Sequence, residues 1–204
     1  MKKFIYLCGI MVLFLLACNS NFNMTTAERK LINSADAETP FRVLQVTNTE
    51  DSLFLRQKCI DVDIKNISED KDIQLFIQRL KVTLDVEEGV GIAAPQVGIG
   101  RNIFLFLRVT EPDMPVQVVI NPKIVDHSEE TVCFERDGCL SIPDISGNSV
   151  RYAWVEVEYF DETGRQIREK LTGFSRETGF TGVIFQHEYD HLQGVLFIDK
   201  LCNL

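Results

Sequence analysis

The chain has 204 residues, 45% of them hydrophobic, which is enough to build one domain with a real core. Its formal charge is −9, and it grows more negative once residues 1–17 are set aside, because their only charges are Lys2 and Lys3. That balance speaks against a nucleic-acid binder, which needs a basic surface.

Lys2 and Lys3 precede an apolar run over residues 4–17, the form of a secretory signal and too short for an ordinary membrane span. The ending Leu15-Leu16-Ala17-Cys18 resembles the bacterial lipoprotein box. That resemblance implies a lipid on Cys18 and a protein anchored to a membrane outside the cytosol. A plain signal peptide or uncleaved anchor is the blander reading, and a start at Met24 would leave a cytoplasmic protein. Residues 18–40 are polar, rich in Thr, Ser, Asn and Ala, and without sustained periodicity, which predicts a flexible tether ahead of one folded domain at 41–204.

Within that domain, Ile73, Phe76, Ile77, Leu80 and Leu84 recur at helical spacing, predicting a helix over residues 72–86 with one buried face. Residues 102–109, 116–121 and 150–160 are rich in β-branched and aromatic side chains and read as strands. Asp161-Glu162-Thr163-Gly164 turns the last of these into a partner strand at 165–171. Residues 179–193 return to helical period through Phe180, Ile184, His187 and His191, with Gly194 as a stop. Strands in runs with helices set apart predict an α+β fold, with antiparallel or mixed β-sheets around this last helix. Setting Cys8 and Cys18 aside, Cys59, Cys133, Cys139 and Cys202 show no dense spacing and are expected as free or metal-bound thiols.

In His187-Glu188-Tyr189-Asp190-His191 two imidazoles stand at i and i+4, so one helical face offers both to a single ion with a carboxylate beside them. This is the HExxH pattern, set in an otherwise apolar helix rather than on a charged surface one. A catalytic metal takes a third protein ligand and keeps a position for water. The third ligand is open between Cys139, in Asp137-Gly138-Cys139-Leu140-Ser141, and the remaining histidine, His127. A lone cysteine is otherwise a small core residue. Gly89-Val90-Gly91-Ile92-Ala93-Ala94-Pro95-Gln96 is small enough for another chain to approach its backbone, or is only a helix stop and a tight turn.

Taken in order, Gly89 to Gln96, Gly138-Cys139-Leu140-Ser141 and Gln186-His187-Glu188-Tyr189-Asp190-His191-Leu192 resemble the three signature motifs of peptide deformylase. The resemblance implies that family's fold and its reaction, removal of the N-formyl group from N-formylmethionyl peptides with release of formate. It implies Cys139, His187 and His191 as ligands of one divalent metal ion, usually ferrous iron with zinc also able to occupy the site. Glu188 would be the proton shuttle, with Gln96 and the backbone N–H of Leu140 stabilising the oxyanion. Gly91 would let the substrate backbone pair like an added strand, with Ile92 and Ile184 expected to wall the methionine pocket. The family usually has Glu immediately before Gly-Cys-Leu-Ser, where this chain has Asp137, one methylene shorter. Asp137 is expected to support the ligands, anchored by Arg151, with its shorter reach loosening the loop. The competing readings are an HExxH zinc peptidase and a non-catalytic metal-binding lipoprotein.

Overall fold

A computed structural model describes residues 24–202; the signal-like segment 1–17 and the lipidation candidate Cys18 lie outside the described residues. The predicted first helix is α3 (Lys71–Val86), started by Asp70, whose side chain accepts from the N–H groups of Asp72 and Ile73. Ile73, Phe76, Ile77, Leu80 and Leu84 are all buried on it, as their spacing predicts. Two shorter helices precede it, α1 (Thr26–Ile32) and α2 (Thr49–Leu55).

After α3 come β1 (Gly91–Ala93), β2 (Ile103–Leu107), β3 (Val116–His127), β4 (Thr131–Cys139), β5 (Ile142–Tyr152), β6 (Trp154–Phe160), β7 (Gln166–Thr172) and helix α4 (Thr181–Leu192). A five-stranded sheet runs in the order β1-β2-β3-β6-β7, and β4 with β5 forms a separate two-stranded sheet. All these pairings are antiparallel. Strand β2 explains why Ile103-Phe104-Leu105-Phe106 is apolar without alternation. Ile103 and Leu105 pack in the cluster that contains α3, and Phe104 and Phe106 in the cluster that contains α4. The sheet is thus covered by a helix on each face. Phe185 of α4 sets its ring edge-on against Phe104 and Phe106, with centroids 5.0 Å and 5.8 Å away.

Three expectations need correction. Residues 150–160 are not one strand: β5 ends at Tyr152 and β6 begins at Trp154, where the chain passes from the small sheet to the large one. The Ser128 hydroxyl marks that corner by accepting from the N–H of Ala153 at 2.9 Å.

The tether expected over 18–40 does not describe residues 24–40. Helix α1 begins with a capping box between Thr25 and Glu28, and Met24 and Ile32 are buried in the core. Its polar composition hides its purpose, because Glu28 pairs at 2.8 Å with the buried Arg101, and Arg79 donates to the carbonyls of Ile32 and Thr39. The segment satisfies buried cations that belong to other elements.

Cys133 and Cys202 are not free thiols but a disulfide, with Cα atoms 6.0 Å apart across a separation of 69 residues. Sequence spacing alone does not reveal such a contact. Among the described residues no helix is long and apolar enough to cross a membrane.

Candidate active site

Helix α4 is buried along nearly its whole length, as its apolar sequence requires, and Gly194 in the left-handed region (φ 72°) ends it. His187, Glu188 and His191 are 8%, 4% and 1% exposed. Cys139 stands at the end of β4, facing them. Its sulfur and one ring nitrogen from each of His187 and His191 lie within 4.8 Å of one another, with Sγ 3.1 Å from His191 Nε2. His127, the other candidate for third ligand, is elsewhere: its ring stacks on Tyr152 at 3.8 Å and its Nδ1 meets the carbonyl of Ser128.

Asp137 orients this cluster. Its Oδ1 lies 3.0 Å from His187 Nδ1, and its Oδ2 accepts from Arg151 at 2.7 Å and from the Ser149 hydroxyl at 2.5 Å. The shorter carboxylate therefore reaches the imidazole and the guanidinium together. With Nδ1 engaged, Nε2 of His187 is the nitrogen left for an ion. Arg151, fully enclosed, also donates to Asp190 at 2.6 Å, and Lys200 reaches the second oxygen of Asp190 at 2.6 Å.

Burial pushes the Asp137 carboxyl up, but His187 and Arg151 outweigh it and hold the group well below the usual carboxylate range. Burial pulls the His187 imidazole down, yet Asp137 and Cys139 hold it well above its ordinary value. His191 is held well below its ordinary value, by burial first and then by His187 and Arg151. Burial pushes Glu188 up to about 7, and its Oε2 has no hydrogen-bond partner.

Gln96 sits in a short 3-10 helix, Ala94–Val97, immediately after β1. Its carbonyl accepts from the N–H of Ala93 at 2.8 Å, which turns its amide nitrogen toward the Ser141 hydroxyl (3.2 Å) and Cys139 Sγ (3.6 Å). A Cβ built on Gly91 would run into the Glu188 carboxylate, so glycine there leaves Glu188 its room.

Gly91, Gln96, Cys139, His187 and Glu188 all open onto one cavity of about 560 Å³. Leu140 and Ile184 line it as well. Ile92 does not: it is buried in the cluster on the opposite face of the sheet, with Ile73 and Leu105. The cavity's apolar wall also includes Phe134, Phe180 and Val183, which sequence reasoning missed. A signal existed for two of them, since Val183 and Phe180 stand four and seven positions before His187 on the same helical face.

The family model for polypeptide deformylase matches residues 43–204. The chain belongs to that family. Peptide deformylase 2 of Nostoc sp. is 42% identical over 153 residues, covering 72% of this chain and 80% of the relative. A peptide deformylase from Synechococcus elongatus, crystallised with actinonin, superposes with a TM-score of 0.67 at 33% identity, covering 80% of each chain. A Met-Ala-Ser-bound class I type b peptide deformylase from Acinetobacter baumannii gives a TM-score of 0.68 at 29% identity, over 80% of this chain and 99% of that one. As a peptide deformylase the chain is a metal-dependent hydrolase that removes the N-formyl group from N-formylmethionyl peptides, releasing formate. Helix α1 precedes the matched residues.

Proposed function

We propose that Cys139, His187 and His191 hold the metal ion of this deformylase and that Glu188 moves the protons. The observation that carries this reading is the convergence of one sulfur and two imidazoles within 4.8 Å, beside a buried carboxylate with an unpartnered oxygen. A mixed thiolate and imidazole set fits a divalent transition metal, with Nε2 of His191 turned to Cys139 Sγ and Nε2 of His187 left by Asp137 for the same ion. Ferrous iron is the proposed ion by family resemblance, with zinc as its substitute.

When bound, the ion supplies Lewis acidity and lowers the pKa of a water to about 7. Glu188 takes the proton of the attacking water and delivers it to the departing amine, a role worth about 10²- to 10⁴-fold. Gln96, its carbonyl fixed by Ala93, donates its amide to the developing oxyanion together with the backbone N–H of Leu140. Strand β1 lies at the edge of its sheet, so the substrate backbone can add beside Gly91 as a further strand. Ile184, with Phe180 and Val183, accepts the methionine side chain.

The test is formate release from formyl-Met-Ala by the metal-loaded chain, alongside an unformylated peptide of several residues. Formate release that Glu188→Ala abolishes supports the assignment. Internal cleavage of the unformylated peptide would indicate the zinc peptidase instead, and no reaction on either would leave only metal binding.

Residues 1–18 are read as a lipoprotein leader that places the enzyme outside the cytosol, anchored through Cys18 to a membrane. Supporting this are Lys2-Lys3, the apolar run and Leu15-Leu16-Ala17-Cys18, and the Cys133–Cys202 disulfide, because such bonds persist in oxidising compartments. The proposed substrates are then formyl-peptides outside the cytosol, such as released signal-peptide fragments. The mass of the native N-terminus decides: a lipidated Cys18 is expected, and an unlipidated chain starting at Met24 would overturn it.

A further inference from the structure

The Cys133–Cys202 bridge ties the segment after α4 to the hairpin that carries Cys139 and Asp137. Cys133 lies opposite Val150 in that hairpin. The segment runs along β5: Leu201 bridges Ser149, and the N–H of Cys202 donates to the carbonyl of Asn148 at 2.8 Å. Asn148 Oδ1 in turn accepts from the N–H of Arg136, next to Asp137. Ser149 is the hydroxyl that holds Asp137 Oδ2, and it also accepts from Arg151 Nε at 3.0 Å.

Charge makes the same connection. Asp137 and Asp190 are two buried carboxylates, balanced by Arg151 and by Lys200 from the bridged segment. If Lys200 leaves, one guanidinium must serve both carboxylates, and the one holding His187 loses part of its partner. Burial fastens the segment at Phe197, 2% exposed, but Leu201 is 46% exposed, so beyond Lys200 apolar packing contributes little. The disulfide supplies the attachment that burial does not.

We propose that the Cys133–Cys202 bridge positions the metal ligands, by clamping Lys200 and Leu201 onto the hairpin so that Asp137 holds His187, and that metal retention therefore depends on the redox state of the surroundings. The proposal rests on the reading of Cys139, His187 and His191 as ligands. Cys133 is exposed and Cys202 half-buried, so dissolved thiols and disulfides can reach the pair. The bond forms by exchange with a disulfide oxidant. The Cys133 thiolate attacks one sulfur of that oxidant and expels a thiolate. The Cys202 thiolate then attacks the Cys133 sulfur and expels the second, so two electrons pass to the oxidant and two protons to water.

The test uses the full chain loaded with zinc, which has no redox chemistry of its own. Zinc release to excess chelator is timed for the oxidised chain and after reduction by a phosphine, well below the melting temperature of the reduced form. Mass spectrometry after alkylation reports the thiols. The expected result is a bridge in the oxidised chain and zinc release about 10-fold faster after reduction, the scale for loss of a group that supports metal ligands. Cys202→Ser should release zinc as fast as the reduced chain and no longer respond to the phosphine. Lys200→Met, with the bridge intact, should also accelerate release, which a merely structural bridge would not predict.

Equal release from oxidised and reduced chains overturns the proposal, as does alkylation of Cys133 and Cys202 in the oxidised chain. Faster release accompanied by loss of the far-ultraviolet circular dichroism signal marks global unfolding and overturns the positioning role. A chain that binds no zinc in either state overturns instead the ligand reading beneath it.

Discussion

Helix α4 and the β4–β5 hairpin face each other across the ligand cluster, and they are held by different forces. The helix is enclosed by apolar side chains, with Phe185 wedged among Phe104, Phe106 and Tyr159. The hairpin forms a sheet of its own, exposes many of its residues, and leans on Arg151, Ser149, a disulfide and Lys200. Packing fixes the helix that carries the imidazoles and the carboxylate on one side, while charge and a covalent tie fix the thiol, and the Asp137 that orients His187, on the other. Dispersion contacts are many and individually small, so the helix tolerates loss of one contact better than the hairpin tolerates loss of one charge.

The largest expected effect tests the helix side. Glu188→Gln should lower formate release by about 10²- to 10⁴-fold while zinc content stays the same, measured by turnover and metal analysis. A loss within tenfold would mean that α4 supplies ligands and nothing more.

Arg151→Met tests the hairpin side, because it leaves Asp137 and Asp190 without their shared partner. It should destabilise the fold by about 3–5 kcal/mol in urea denaturation. A cost below about 1 kcal/mol, the range of an exposed ion pair, would show the hairpin held by packing after all.

Gly91→Ala asks whether the two sides share room to spare. The added methyl displaces the Glu188 carboxylate, so kcat should fall about 10²-fold with metal content unchanged. Unchanged kcat would show that Glu188 can move without cost.

The smallest effect comes from an ion pair away from the site. The Arg42 guanidinium and the N–H of Gln45 hold the Asp51 carboxyl down at about 2, against an ordinary value of 3.8. Its folded value is the lower one, so its contribution is present above 3.8 and is lost as pH falls toward about 2. The gap in melting temperature between the wild type and Asp51→Asn should narrow from pH 5 to pH 2, and a constant gap would sink this account.

The same division explains what was legible in the sequence. His187, Glu188 and His191 fall within five consecutive positions of a helix whose period is visible, so their convergence follows from local geometry. Local pattern likewise carries helices α3 and α4, strands β2, β6 and β7 and the first half of β3, whereas β1, β4 and most of β5 leave no such pattern. Ser149 and Lys200 lie outside every motif, and Asp190 lies inside one that does not declare its role, because each works through a partner brought from elsewhere by the fold. Cys133 and Cys202 are further apart still. Ile92 turns into the core and not the cavity because it sits on a three-residue strand, too short for the sequence to declare which of its faces meets the pocket. Helix α1 went unread because seven residues, most of them polar, give too few turns for a period to emerge.

The arrangement of sulfur atoms has a practical consequence as an assay. Cys59 is 6% exposed and burial pushes its thiol up to about 12, while Cys133 and Cys202 occupy each other. Among the described residues this leaves Cys139 as the thiol open to a reagent, and an ion on its sulfur would shield it. With Cys8 and Cys18 removed or blocked, counting fast-reacting thiols in the oxidised protein counts the chains whose Cys139 carries no ion, if Cys139 is the proposed ligand, and it needs no substrate.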